Sequence, residues 1–270
     1  MYVKNKTIVV TGGGNGVGRE LVLNLLSRGA RVAAVDINES ALSGTIELAG
    51  DKTGNLFCYV TDITDKEAVE IFSIKVIKQF GQIDGLINNA GIIQPFVRIN
   101  DLDYSTIEKV VNVDFYGTLY MIKAFLPHFL KHPESHIVNI SSMGGLFPVP
   151  GESVYGAAKA AVTMLSEGLR AELRNKNVNV TLIFPGGIET DIKFNSGAEK
   201  IKKGENDAKS AIIKPVKPKK AAQIIIDSME KNKFRVFIGS DIKVLKFLFN
   251  VCPGFAASLI NKQMKSHIPE

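Results

Sequence analysis

Short runs of consecutive apolar, β-branched residues alternate along this chain with longer stretches in which apolar positions recur every three or four residues. Runs at Thr7–Thr11, Arg31–Val35, Leu56–Val60, Gly85–Asn88, His136–Ile140, Val178–Phe184 and Val236–Ile238 predict strands. Between them, Val17–Arg28, Lys66–Phe80, Ile107–Leu130 and Val154–Arg174 carry helical spacing. Strands that are apolar on both faces and separated by helices predict a parallel sheet covered on each side. Right-handed crossovers then predict an α/β fold: a doubly wound, Rossmann-type sheet of about seven strands flanked by helices on both faces, its ligand crevice outside the strands' carboxyl ends. The 270 residues suit one such domain, and no internal repeat divides it.

From Lys193 to Lys220 the pattern gives way to lysines, glycines and polar residues, and Pro215 and Pro218 close the stretch before a helix resumes near Ala221. An insertion of that length after the last crevice-lining strand, spanning 190–220, reads either as a mobile loop that caps a substrate or as a merely floppy connection. The tail over 241–266 is apolar and amphipathic but broken by Lys243, Lys246 and Pro253-Gly254, too interrupted to span a bilayer. Its Phe247, Leu248, Phe249 and Phe255 have three destinations open to them: the mouth of the site, an oligomer interface or a membrane surface. Packing on the protein itself is the simplest expectation.

Charge sharpens the picture of the tail. Of the net +6, residues 193–270 hold 16 Lys and Arg against 7 Asp and Glu, while the rest hold 17 against 20. A basic carboxyl-terminal part either solvates the surface or attracts an anionic membrane face or acidic partner, giving peripheral membrane contact. No RNA-binding signature or aromatic-interleaved basic stripe points to nucleic acid. Cys58 and Cys252 lack metal-ligand spacing, so no metal site is expected; they read as buried thiols in a reducing, cytoplasmic setting without a secretory signal.

The first predicted strand runs into Thr11-Gly12-Gly13-Gly14-Asn15-Gly16-Val17-Gly18, and a helix follows. Glycines there permit a tight turn and let backbone amides approach a pyrophosphate at the positive end of the helix. The second strand ends at Asp36, whose carboxylate can accept from adenosine ribose hydroxyls and would repel a 2′-phosphate. With Asn15 and Ile37 nearby in place of an arginine, NAD is favoured over NADP. Further along, Ser142 closes the fifth strand, and Tyr155 and Lys159 lie four apart on one helix face. A free phenol, with a pKa of about 10, is a poor base at neutral pH. A neighbouring ammonium favours its ionised form, as acid–base work on an alcohol or carbonyl requires.

These motifs, with Asn88-Asn89-Ala90-Gly91 and Pro185-Gly186 followed by Thr190, resemble the classical short-chain dehydrogenase/reductase family over residues 5–240. The resemblance implies that Tyr155 is the general acid/base, that Lys159 lowers its pKa and holds the nicotinamide ribose, and that Ser142 polarises the substrate carbonyl. It also implies that Asp62 and Ile63 bind the adenine. Asn89, beside Ala90 and Gly91, would support the cofactor ribose region, and Ile188 and Thr190, after Pro185 and Gly186, would contact the carboxamide. By the same resemblance the two long helices pair between subunits in a homodimer or homotetramer. One departure stands out: family members usually carry an asparagine where Asp114 precedes Phe115-Tyr116-Gly117. A carboxylate accepts hydrogen bonds but donates none unless protonated, so retained activity with an altered pH profile is expected. The function expected is NAD-dependent hydride transfer between nicotinamide and a small-molecule alcohol or ketone, a hydrophobic one, with NAD leaning towards oxidation. The alternatives are a carrier-linked 3-oxoacyl reductase, which expects NADP, and a non-catalytic NAD-binding regulator.

Overall fold

The computed structural model describes residues 1–190, 192–198 and 215–264. In chain order its elements are β1 (Thr7–Thr11), α1 (Gly16–Ser27), β2 (Arg31–Asp36), α2 (Glu39–Ala49), β3 (Leu56–Val60), α3 (Lys66–Phe80), β4 (Gly85–Asn88), α4 (Tyr104–Val111), α5 (Thr118–Phe129), β5 (Ser135–Ile140), α6 (Ser153–Glu172), β6 (Val178–Pro185), α7 (Ile192–Asn195), α8 (Pro218–Glu230), β7 (Arg235–Ile238), α9 (Ser240–Val251) and α10 (Pro253–Met264). All strand pairs are parallel, in the order β3-β2-β1-β4-β5-β6-β7. The doubly wound sheet is as the apolar runs predict.

Alternation along each strand divides the core in two. Ile8, Val10, Val32, Ala34 and Ile87 face α1, α2 and α8 through Leu21, Leu25, Leu42 and Ile225. Val9, Ala33, Val35, Leu86 and Ile137 face α3, α5 and α6 through Phe72, Val76, Phe125 and Leu169. β1 is buried at every position, which is why its interior Ile8-Val9-Val10 is apolar without alternating.

Three expectations need correction. The helix expected at Ile107 begins at Tyr104, because its first turn is polar or solvent-exposed and carries no apolar period. Between α4 and α5 it passes through a π turn, Asn112–Gly117, and is not a uniform α-helix. The helix expected near Ala221 starts at Pro218, whose missing amide costs nothing in a first turn. The cysteines are not both buried: Cys58 is half-buried, its thiol pushed up to about 11 by burial, and Cys252 is exposed between α9 and α10. Of the expected substrate loop, residue 191 and residues 199–214 lie outside the described residues, as do residues 265–266 of the tail.

The tail forms two helices instead of one interrupted segment, with Pro253 opening the second. Its Ile242 and Ile260 are buried with Phe147, Leu182 and Phe184, and Leu245 and Phe249 pack against them. Among the described residues no helix is long and apolar enough to cross a membrane. Phe125 is fully buried between the rings of Phe72 and Phe129. Phe125→Ala is therefore expected to lower unfolding stability by about 3–5 kcal/mol, read as a shift in the urea denaturation midpoint.

Candidate active site

β1 lies between β2 and β4, so the loops leaving β1 and β4 diverge and open a crevice at the carboxyl end of the sheet. The Thr11 hydroxyl joins those loops: it accepts the Asn89 and Ala90 amides at 3.0 Å each, and Asn89 Nδ2 donates back to the Thr11 carbonyl at 3.0 Å. Gly12 and Gly16 hold φ of +67° and +51°, in the left-handed region. A Cβ on Gly18 would stand 1.8 Å from the Gly12 carbonyl oxygen, so only glycine lets α1 start this close to β1.

Asn15 precedes α1, yet its side chain caps no helix amide; its Oδ1 accepts from Arg19 Nη2 at 3.1 Å. The first-turn amides of α1 therefore have no cap from Asn15, which suits a pyrophosphate. Asp36 turns its carboxylate into the same loop, Oδ2 accepting the Gly14 amide at 2.9 Å and Oδ1 the Asn38 amide at 3.0 Å. Arg19 brings a guanidinium to this end, and sequence reasoning passed over it. Its remaining bonds go to Thr45 Oγ1 and the Ala41 carbonyl. Val17 packs on the core below and Ile37 is exposed at the rim. Thr190 returns over the loop, its Cγ2 3.5 Å from where a Gly16 Cβ would stand. Pro185 ends β6, the Gly186 amide donates to the Ile238 carbonyl at 2.8 Å, and Ile188 bridges to Val216. Asp62 spends Oδ1 on the Thr64 amide and hydroxyl, both at 2.8 Å, while Ile63 is buried against Gly117.

The chemical groups meet at the other end of the crevice. Ser142 lies two residues beyond the last residue of β5 and begins a short turn, its Oγ accepting the Gly144 amide at 3.1 Å. Tyr155 and Lys159 project from one face of α6, with Lys159 Nζ 5.8 Å from the Tyr155 ring centre. Asp114 comes from the π turn, wholly buried: Oδ1 accepts the Ile92 amide at 2.8 Å and lies 3.8 Å from Lys159 Nζ, and Oδ2 has no partner. Lys159 Nζ also donates to the Ile140 carbonyl at 3.4 Å.

The electrostatics differ from those expected. The phenol of Tyr155 is pushed well above its ordinary range, first by burial and then by the Asp114 charge; a hydrogen bond with Ser142 pulls the other way. The ammonium of Lys159, 3.8 Å from Asp114, draws that carboxyl's pKa down. Burial raises Asp114 itself to about 6 against the opposing pull of Lys159 and the Ile92 amide.

Four residues after β4 connect these groups. Gly91 leaves room for Lys159, whose Nζ lies 2.9 Å from where its Cβ would be. The Ile92 amide binds Asp114, and the Ile93 amide donates to Ser196 Oγ at 3.0 Å, just past α7. Gln94 is fully buried; its Oε1 accepts the Val154 and Tyr155 amides at 3.0 and 2.9 Å, and its Nε2 donates to the Gly151 carbonyl at 3.0 Å. Gln94 thus caps the helix that carries Tyr155. No spacing rule reveals a cap from 60 residues away; the sole hint is one polar amide within Ile92-Ile93-Gln94-Pro95-Phe96.

The family described as short chain dehydrogenase matches residues 6–201. The SadH protein of Mycobacterium tuberculosis is 34% identical over 258 residues, covering 92% of this chain and 91% of its own. The 3-oxoacyl-[acyl-carrier-protein] reductase FabG of Thermotoga maritima is 32% identical over 233 residues, 84% of this chain and 91% of that one. Among solved structures, a short-chain dehydrogenase/reductase from Burkholderia phymatum in complex with NAD superposes with a TM-score of 0.81 at 21% identity, over 93% of this chain and 96% of that one. One from Burkholderia cenocepacia in complex with NADP gives 0.78 at 24%, over 96% and 99%.

Gln94→Leu leaves two helix amides without their acceptor, and hydrogen exchange at Val154 and Tyr155 is expected to quicken by about tenfold or more. For Asp114 the sign is fixed by a folded pKa above the unfolded one. Its contribution is fully present below about pH 4 and is lost as pH rises through about 6. Urea titrations of wild type and Asp114→Asn across pH 4–8 should show that loss, on the order of 2–3 kcal/mol, in the wild type only.

Proposed function

The chain belongs to the short-chain dehydrogenase family, and from that membership we propose that it is an NAD-dependent oxidoreductase interconverting a hydrophobic ketone and its secondary alcohol, with Tyr155 as the acid/base. The observation that carries this reading is the convergence of Tyr155, Ser142 and Lys159 on a crevice whose far end is an uncapped glycine turn facing Asp36.

A nicotinamide dinucleotide bound in that crevice would supply or accept the hydride. The amides of Gly12–Gly18 would hold its pyrophosphate, Asp36 its adenosine hydroxyls, Ile63 with Asp62 its adenine, and Lys159 with the Asn89–Gly91 segment its second ribose. Ile188 and Thr190 would face the carboxamide. Ser142 offers its hydroxyl to the substrate oxygen, and Tyr155 gives that oxygen a proton in reduction or takes one in oxidation. A phenol held above its ordinary range is protonated at neutral pH, the state that carbonyl reduction needs. Asp114 adds a second control, since its charge holds the phenol up and is itself lost below about pH 6.

Apolar residues around the reacting groups support a hydrophobic substrate: Ile92, Ile93 and Val154 pack beside Tyr155, and Met143, Leu146 and Phe147 follow Ser142. Pairing of copies through the helices of Tyr116 and Met164 belongs to the same reading, as both side chains are exposed. The likeness to FabG favours a second reading, reduction of a carrier-linked 3-oxoacyl group with NADP. Asp36 favours NAD by repelling a 2′-phosphate. A panel of apolar ketones and a 3-oxoacyl thioester, each offered NADH and NADPH, separates the two. Turnover with NADH on the ketones is expected, falling at least about 100-fold in Tyr155→Phe while NADH fluorescence still reports binding. Full activity in Tyr155→Phe, or no bound dinucleotide, would end the enzymatic reading.

A further inference from the structure

The carboxyl-terminal helix pair has two apolar faces, and among the described residues only one is covered. Ile242, Leu245, Phe249 and Ile260 face the core, and the Phe147 and Phe249 rings meet at 5.2 Å. On the outer side Val244, Phe247 and Val251 recur at helical spacing along α9, and Phe255 continues the row on α10. These four are 54%, 68%, 64% and 62% exposed. A row of such side chains in water marks a contact surface.

Charge decides what occupies it. From Ser240 to Glu270 the sequence has Lys243, Lys246, Lys262 and Lys265 against Asp241 and Glu270, the two acids lying at the ends of the stretch. Lys246 lies over the Phe237 ring at 3.9 Å, and Lys262 is exposed on α10. A two-fold contact through the ridge would bring the same basic patch in from both copies, net positive charge on each side. An anionic bilayer offers apolar depth for the ridge and negative headgroups for the flanks.

We propose that the Val244–Phe255 ridge seats this protein on anionic membrane surfaces. The helix pair's inner face packs on Met143, Leu146 and Phe147, the turn that begins at Ser142. Docking therefore brings the crevice to the lipid surface, and the substrate class narrows to carbonyl compounds dissolved in the bilayer, a step that rests on the function proposed above.

The test is flotation of the full chain with phosphatidylcholine vesicles, pure or with about one-third phosphatidylglycerol, at low and high salt. The anionic vesicles are expected to carry at least about ten times more protein than the neutral ones, and high salt to release it. The Phe247→Ser, Phe255→Ser double variant and, independently, Lys262→Glu should each reduce that binding, with turnover of a water-soluble ketone unchanged. Binding that ignores lipid charge, or that neither variant weakens, overturns the proposal. So does a dimer in analytical ultracentrifugation that the double variant splits without altering flotation, because a second copy then owns the ridge. Flotation needs no turnover: Tyr155→Phe should float like the wild type, so an inactive protein that floats counts against the catalytic reading alone.

Discussion

One hydroxyl holds the two halves of the crevice in register. Thr11 ends β1, where the glycine turn begins, and accepts two amides from the loop that leaves β4. That second loop carries Ile92, which binds Asp114, and Gln94, which caps the helix of Tyr155. The spacing between the glycine turn and Tyr155 therefore follows from hydrogen bonds anchored on a buried strand. Rigid positioning of this kind lets a site act without reorganising at the moment of reaction.

Burial sets the chemistry as much as charge does. Asp114 is enclosed with one oxygen unpartnered and an ammonium at 3.8 Å, so desolvation and ion pairing work against each other. The outcome is a carboxyl raised to about 6 and a phenol pushed above its ordinary range. An asparagine in that position would remove the charge that, after burial, raises the phenol. The single change from amide to acid thus alters which proton inventory the site carries at a given pH.

Much of this was written in local sequence. The apolar run Thr7–Thr11 and the glycines after it gave strand, turn and helix in order, because a twice-buried strand and a close backbone approach each demand particular residue types. Tyr155 and Lys159 showed themselves by helical spacing. Other features were hidden because their causes lie far apart in the chain. The Gln94 cap, the direction of the Lys159 charge and the Ser196 bond to Ile93 depend on packing between distant segments. The π turn escaped because apolar spacing over Ile107–Leu130 does not register one extra residue in a helical turn.

Arg19 is tethered by Asn15, Ala41 and Thr45 a few ångströms from the Gly14–Asp36 contact. A guanidinium thus stands beside the same glycine turn as the Asp36 carboxylate. If the crevice takes NAD as proposed above, accommodating a 2′-phosphate would call for neutralising Asp36, with no recruitment of a new basic group.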